Sequence, residues 1–560
     1  MKKAFVISAL LTHLAFGSSF GQGIGNEEIT ITKERQVSLP KANRIYDKIQ
    51  VIEPEKASKK ITYTFFDRKP TGIERSDFKP SVVDPAANGK DNFTSDGYYN
   101  YLKLGAGNFG RLFGELNINS FQNDNIVFGL NAHHNSAKRG PVEGENSGNS
   151  ISKIDIHGKY HSNGFELRAF GGYERSNYHF YGYDTTAFSN TFEKEDIRQL
   201  LNKFNFGVGF ENTDADAAID YQLLTQIKTL NDYLSAEEID WGTSLNLKFN
   251  LIPNKIVGKI NADAYISQRT DNDIQRIQKR NLFRVQPSFI FNYNQFSAEV
   301  GYRAVNQFDE INQVNETVGF PTVELTYKTP NLLYFSAGYD GDIVRNTLGS
   351  FLNENPFLRS QVPLLNTTKD REIYISSKGD IYGGSSYNVK LAYGSYTNLY
   401  FFTPYDANQR FESRKYDIVY DGNSSPFFHG NLQINYQPTE SIRSNVNFNY
   451  YYYGTEVFEK PFHRPSIDLT FSNSFVIQER FIAAVDLFLL GDMYAQDPFN
   501  FNEVTKLPTI VDLNTKFDYL LSDQFTCFVQ LNNLLNQNYQ RFLFYPKQGL
   551  NFLVGVNVSI

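Results

Sequence analysis

Val511-Asp512-Leu513-Asn514-Thr515-Lys516-Phe517-Asp518-Tyr519, then a turn at Leu521-Ser522-Asp523 and a second strand ending in Asn532-Asn533-Leu534-Leu535-Asn536, is the stretch that decides the fold. In its first run Val511, Leu513, Phe517 and Tyr519 alternate with Asp512, Asn514, Lys516 and Asp518, so a strand's period of two sorts apolar from polar. The final run, Phe552 to Ile560, places Phe552, Val554, Val556, Val558 and Ile560 on one face up to the end of the sequence. A soluble sheet rarely needs such an ending. A closed barrel does, because its last strand pairs with its first and leaves no edge.

Working outward, the same alternation recurs along the chain. Ile154, Ile156 and Tyr160 oppose Lys153, Asp155, His157 and Lys159; Leu112, Leu116 and Ile118 oppose Arg111, Glu115 and Asn117. Phe165, Leu167, Ala169 and Tyr173 oppose Glu166, Arg168 and Glu174, and Ile442, Val446, Phe448, Tyr450 and Tyr452 oppose Arg443, Asn445, Asn447 and Asn449. A basic side chain on the lipid face at mid-membrane costs about 2 to 4 kcal/mol, and an acidic one less. The polar set is therefore expected to line a wet lumen: Arg111, Glu115, Lys153, Asp155, His157, Lys159, Glu166, Arg168, Arg443, Asp512, Lys516 and Asp518.

Ten tight turns punctuate the pattern, at Asn123-Asp124-Asn125, Ser162-Asn163-Gly164, Thr213-Asp214-Ala215, Ile252-Pro253-Asn254, Tyr293-Asn294-Gln295, Thr329-Pro330-Asn331, Tyr382-Gly383-Gly384, Gln437-Pro438-Thr439, Ile477-Gln478-Glu479 and Leu521-Ser522-Asp523. Each carries hairpin-closing chemistry. Longer segments between them, such as Ser176 to Leu200, Gly349 to Asp370 and Gln537 to Gly549, read as extracellular loops. Ten inner turns with both ends on the inner side require eleven outer loops and about 22 antiparallel strands, provided Gly107-Asn108 is a very short outer loop; Arg410 to Tyr436 reads as one long strand or two. The fold class is an all-β transmembrane barrel with a short periplasmic N-terminal arm.

Composition agrees: 49 Phe and 36 Tyr against a single Trp, with 39 Gly, describe strands and turns. Beyond the N-terminus no run of 18 apolar residues is present to cross a bilayer as a helix. Residues 1–21, with Lys2, Lys3 and an apolar stretch from Ala4 to Phe16, read as a signal peptide cleaved before Gln22. Its removal takes the net charge from −7 to −9, which argues against nucleic acid as a partner. Residues 22–94, rich in Lys, Glu and Pro, read as an extended periplasmic arm, and 95–560 as the barrel. Cys527, in phase with Phe525, Val529 and Leu531, reads as a small residue on the lipid face. The tyrosines from Tyr450 to Tyr453 and the pair Phe401-Phe402 suit an interfacial girdle or a core.

Asn532-Asn533-Leu534-Leu535-Asn536-Gln537-Asn538-Tyr539, followed by Tyr545-Pro546-Lys547-Gln548-Gly549-Leu550-Asn551-Phe552, resembles the last hairpin of TonB-dependent outer-membrane receptors. The resemblance covers roughly Gly97 to Ile560 and implies a barrel of twenty-two strands. It also implies a folded plug ahead of the barrel, for which the arm is too short, so the chain is expected to be a plugless member. Glu28-Ile29-Thr30-Ile31-Thr32 resembles the short box by which such receptors engage TonB, while Ile560 stands where the family usually has an aromatic residue.

No nucleophile elbow, phosphate loop or His-Glu-x-x-His occurs, so no enzyme activity and no cofactor are expected. His157 and His161 share a strand face but lack a third ligand, and no metal site is expected. Three functional readings remain: transport or a channel for a hydrophilic solute, a non-enzymatic scaffold subunit of a multiprotein outer-membrane complex, and, against the absence of catalytic motifs, an embedded enzyme such as a lipase or protease whose site is assembled from distant strands. Expected partners are outer-membrane lipid, the barrel-assembly machinery, and TonB or other outer-membrane or lipoprotein subunits.

Overall fold

A computed structural model describes residues 100–120, 125–183, 192–214, 217–271, 277–330, 333–381, 385–405, 415–422, 424–439, 441–478, 480–497 and 503–559. The signal segment, the arm and Glu28 to Thr32 lie outside the described residues. Among those described, one antiparallel sheet of 22 strands closes on itself. Its seam joins the first strand, Tyr101–Gly107, to the last, Asn551–Ser559, with Tyr101 opposite Ser559 and Gly107 opposite Leu553. The terminal alternation that marked the fold is thus the closing strand. Closure matters physically because every backbone N–H and C=O in hydrocarbon must find its partner within the protein.

The outward face is apolar. Leu104, Leu112, Ile156, Phe206, Trp241 and Val554 are exposed, and they alternate with polar residues on the opposite face. Cys527 is exposed beside Phe517, Tyr519, Val529 and Val556 on this face. Near the short turns Tyr293 and Phe296 stand exposed, and Phe296 packs against Tyr327 with ring centroids 4.8 Å apart. Such rings suit a headgroup boundary, where an apolar body and a polar tip meet different solvents.

Short and long connections alternate between the described strands; of the expected turns, Asn123, Asp124, Ala215, Asn331, Tyr382, Gly383, Gly384 and Glu479 lie outside the described residues. Gly164, Asn254 and Asn294 sit at positive φ in tight turns, a conformation that glycine and asparagine tolerate. The first long-side connection is indeed minimal, a single 3-10 turn at Asn108–Gly110. One turn is displaced: Gln437-Pro438-Thr439 belongs to the strand Ser425–Thr439, with a register shift between Tyr436 and Thr439 that accommodates the proline. The stretch from Arg410 to Tyr436 also resolves differently from a single strand. Tyr416–Tyr420 pairs with Tyr400–Pro404 as a separate hairpin within a long connection, and the barrel resumes at Ser425.

Candidate functional site

The polar face of the wall is densely paired. Lys153 meets Glu174 at 2.6 Å, Lys159 meets Glu166 at 3.2 Å, and Arg168 meets Glu211 at 3.5 Å. His161, which shares its face with His157, also contacts Glu166, at 3.0 Å, while His157 lies over Gly129, where any Cβ would collide with its ring. Asp155 crowds Gly172 in the same way. Arg111 donates to Asn135 and Asn551, Glu115 accepts from the Tyr101 hydroxyl at 2.6 Å, and Lys516 meets Asp518 at 2.6 Å. Arg443 is exposed near the short-turn end. Asp512 is drawn away from the others: it is buried and accepts from Tyr539, in the long connection 533–550, at 2.7 Å. No group of three metal-ligating side chains gathers among the described residues.

Sequence reading missed the ladder of arginines that ties one wall to a long connection. Arg284 bridges Asp263 at 3.0 Å and Asp342 at 2.9 Å, and Arg303 reaches Asp340 at 2.6 Å. Higher up, buried Arg280 pairs with Asp309 at 2.7 Å and donates to the carbonyl of Asn346, also at 2.7 Å. Arg269, equally buried, donates to the carbonyls of Val362 and Ser360. Charge-assisted bonds of this kind are the stronger class. Arg280 and Arg269 fasten the connection 345–366 to the inner wall, while Arg284 and Arg303 tie strand to strand.

That connection carries the helix Leu348–Glu354. Thr347 and Ser350 form a reciprocal capping box, and the Glu238 carboxylate accepts from the N–H groups of Leu348 and Gly349 at 2.8 and 3.0 Å. An anion at the helix N-terminus satisfies orphan donors and meets the positive end of the dipole. Below the helix, Leu348, Phe351, Leu358, Phe402, Tyr416 and Phe542 form one buried apolar cluster drawn from connections far apart in sequence. Phe357 stacks on Tyr545 with centroids 3.6 Å apart, and Tyr178, Tyr416 and Tyr420 donate to the carbonyls of Pro356, Leu543 and Pro363. The long connections therefore interlock into a cap with its own core. Phe401 and Phe402 are fully buried in it, and only Tyr450 and Tyr452 of the tyrosine run face outward. Each such ring contributes about 1.5 to 3 kcal/mol by leaving water.

A buried polar knot lies within this core. Glu354, at the helix C-terminus, accepts from the Tyr400 hydroxyl at 2.6 Å and pairs with Arg464 at 3.5 Å. The Arg464 guanidinium lies 4.2 Å from the Tyr400 ring centroid and donates to the Tyr400 carbonyl, and its neighbouring acid holds it firmly charged. Next to it His463 is fully buried, with Nδ1 3.3 Å from the Arg541 carbonyl and no hydrogen-bond partner at Nε2. Burial, reinforced by the Arg541 charge, pushes this imidazole down to about 3, so it is neutral. Lys547, under the same cap, is brought down to about 8 by burial, against the pull of Asp512.

The closed sheet, its polar inner face and its folded cap can be set beside known structures. No protein-family model matches the sequence, and no curated protein matches it. Solved structures do match in shape. The FrpB iron transporter from Neisseria meningitidis superposes with a TM-score of 0.63 at 9% identity, over 83% of this chain and 82% of that one. The chain shares the closed-barrel fold of that transporter. FpvA from P. aeruginosa, solved with bound pyoverdines, gives 0.62 at 11% identity, over 82% of this chain and 71% of that one. The ferric-catecholate import receptor Fiu from E. coli gives 0.59 at 9% identity, over 82% of each chain. The closed barrel is thus common to all of them, and it agrees with the resemblance carried by the C-terminal motif; at such identities the likeness concerns fold alone.

Proposed function

We propose that this chain is an outer-membrane barrel that passes a hydrophilic solute through a polar lumen, with the interlocked long connections serving as a gate on the extracellular side. One observation carries the proposal. The inner face of a wide barrel is lined with paired charges and amides, yet the long connections at one end pack on one another around a hydrophobic core. Barrels of sixteen to eighteen strands already hold aqueous channels, so one of twenty-two needs closing. The lumen-lining set from Arg111 to Asp518, apart from Asp512 beneath the cap, supplies the wetted wall, and the chain acts without catalysis or cofactor. On this reading the short turns and the arm, residues 22–94, lie in the periplasm. Glu28 to Thr32 is then the segment available to TonB, the plug is absent, lipid covers the outward face, and the barrel-assembly machinery inserts the chain.

Cells provide the test. A chain in which Gly349 to Leu364 is replaced by a short Gly-Ser linker loses the helix and five of the fifteen buried residues of the cap's main cluster, and is expected to sensitise its host to large hydrophilic antibiotics. Deleting Gly23 to Pro80 instead measures what the arm adds. Unchanged sensitivity with both segments removed, and the barrel present in the outer membrane, contradicts the transport reading and favours a scaffold subunit.

A further inference from the structure

The inner wall is chemically divided, and the division bears on the solute. From Lys153 to Lys390 the inward charges cancel locally, as in Lys153 with Glu174, Arg284 with Asp342 and Lys390 with Glu372 at 3.0 Å. The hairpin Ser425–Thr439 and Ile442–Tyr453 is different. On its inward face Asn431 lies opposite Asn449, Gln433 opposite Asn447, and Asn435 opposite Asn445, three successive rungs of neutral amides. The rungs are about 7 Å apart, two residues along each strand. Arg443 is the one charged residue on this inward face of the hairpin, at its short-turn end.

The upper rungs are held in place by their own bonds: Asn431 donates to Asn449 at 2.8 Å and to Asn447 at 3.0 Å. Immediately above, His429 and Tyr451 are stacked face to face, 4.6 Å between centroids and 6° from parallel. His429 also contacts Asn449, at 3.1 Å. Each amide offers two donors and a carbonyl acceptor, more than these contacts consume. A column of rigid, uncharged donors and acceptors beneath an aromatic plate exchanges hydrogen bonds readily with hydroxyl groups. The column carries no charge of its own; of the charged residues on the adjoining strands, Lys390, opposite Asn431, is paired with Glu372 at 3.0 Å, and Asp468 lies opposite Asn449.

We infer that this amide ladder is the track for a neutral polyhydroxylated solute, an oligosaccharide by chemical class. The inference rests on the transport reading and specifies its cargo. The test uses the chain lacking Gly349 to Leu364 and Gly23 to Pro80, reconstituted in a planar bilayer, with maltohexaose as the neutral probe and hexagalacturonate as an anionic one of equal length. Maltohexaose is expected to produce transient current blocks, and hexagalacturonate far fewer. In the N445A/N447A variant the maltohexaose residence time should fall about fivefold to tenfold, the loss expected for one net hydrogen bond, with open conductance retained. A heat-modifiable shift in gel mobility reports that the variant is folded. Ion conductance without maltohexaose blocks, blocks indifferent to the variant, or equal blocking by the uronate overturns this inference alone. Absence of any conductance overturns the transport reading and this inference with it.

Discussion

At the scale of residues, the cap depends on charges buried against the ordinary preference for water. Glu354 and Arg464 are both buried and satisfied by each other and by Tyr400. Removing one partner strands the other, at a cost of about 3 to 5 kcal/mol, whereas replacing both with apolar residues of similar volume is close to neutral. E354A and R464A are therefore each expected to loosen the cap, measured as faster protease cleavage within 345–366, and the E354L/R464M double variant to restore resistance. His463 gives a pH dependence with a definite sign. Its folded value, about 3, lies below the ordinary 6.5, so its contribution is complete above pH 6.5 and is lost as pH falls from there toward 3. The groups around it offer an imidazolium no acid: the Tyr416 and Phe542 rings lie 5.1 and 5.5 Å away, and Arg541 adds like charge. At pH 5 the cap should be weaker than at pH 7.5 by about 2 kcal/mol. Protease resistance of the cap measured against pH, with and without H463N, checks this, and an identical pH profile in the variant would count against it.

Among elements, the barrel strands were legible because each repeats one local rule. Alternation in Phe165 to Glu174 or Val511 to Tyr519 needs no distant partner to be read, and a turn such as Ser162-Asn163-Gly164 announces its own backbone. The closing strand was legible for the same reason. The cap was not. Its helix is seven residues long, its hairpin at Tyr400–Pro404 and Tyr416–Tyr420 is short, and both are held by contacts between connections scores of residues apart. Glu238 acquires its role only when the helix N-terminus arrives above it, and Arg269 only when 360–362 does. A faint signal was present in the aromatic residues Phe351, Phe357 and Phe402, too many for a solvated loop. The seam offers an element-scale prediction. A Cβ on Gly555 would lie 2.0 Å from the Leu104 carbonyl oxygen and 2.5 Å from the Phe528 ring, so the strands meet here because the side chain is missing. G555V should prevent closure and abolish the fast-migrating folded band in an unheated gel, while V554I, on the outward face, should leave it intact.

In the whole molecule two opposed kinds of packing meet, a wall lined with charges and amides and a set of long connections with a hydrophobic core. The wall spends its charges on one another, as in the chain of contacts linking Asp263, Arg284, Asp342, Arg303, Asp340 and Lys369. The cap gathers apolar rings from several connections and fastens them to the wall through Arg269 and Arg280. The most direct measurement is single-channel current across a planar bilayer, comparing the full chain with the chain lacking Gly349 to Leu364 and Gly23 to Pro80. A nearly silent full chain and large, stable conductance after removal of these segments is the result expected of a gated conduit; equal silence in both, with the barrel demonstrably folded, would contradict it.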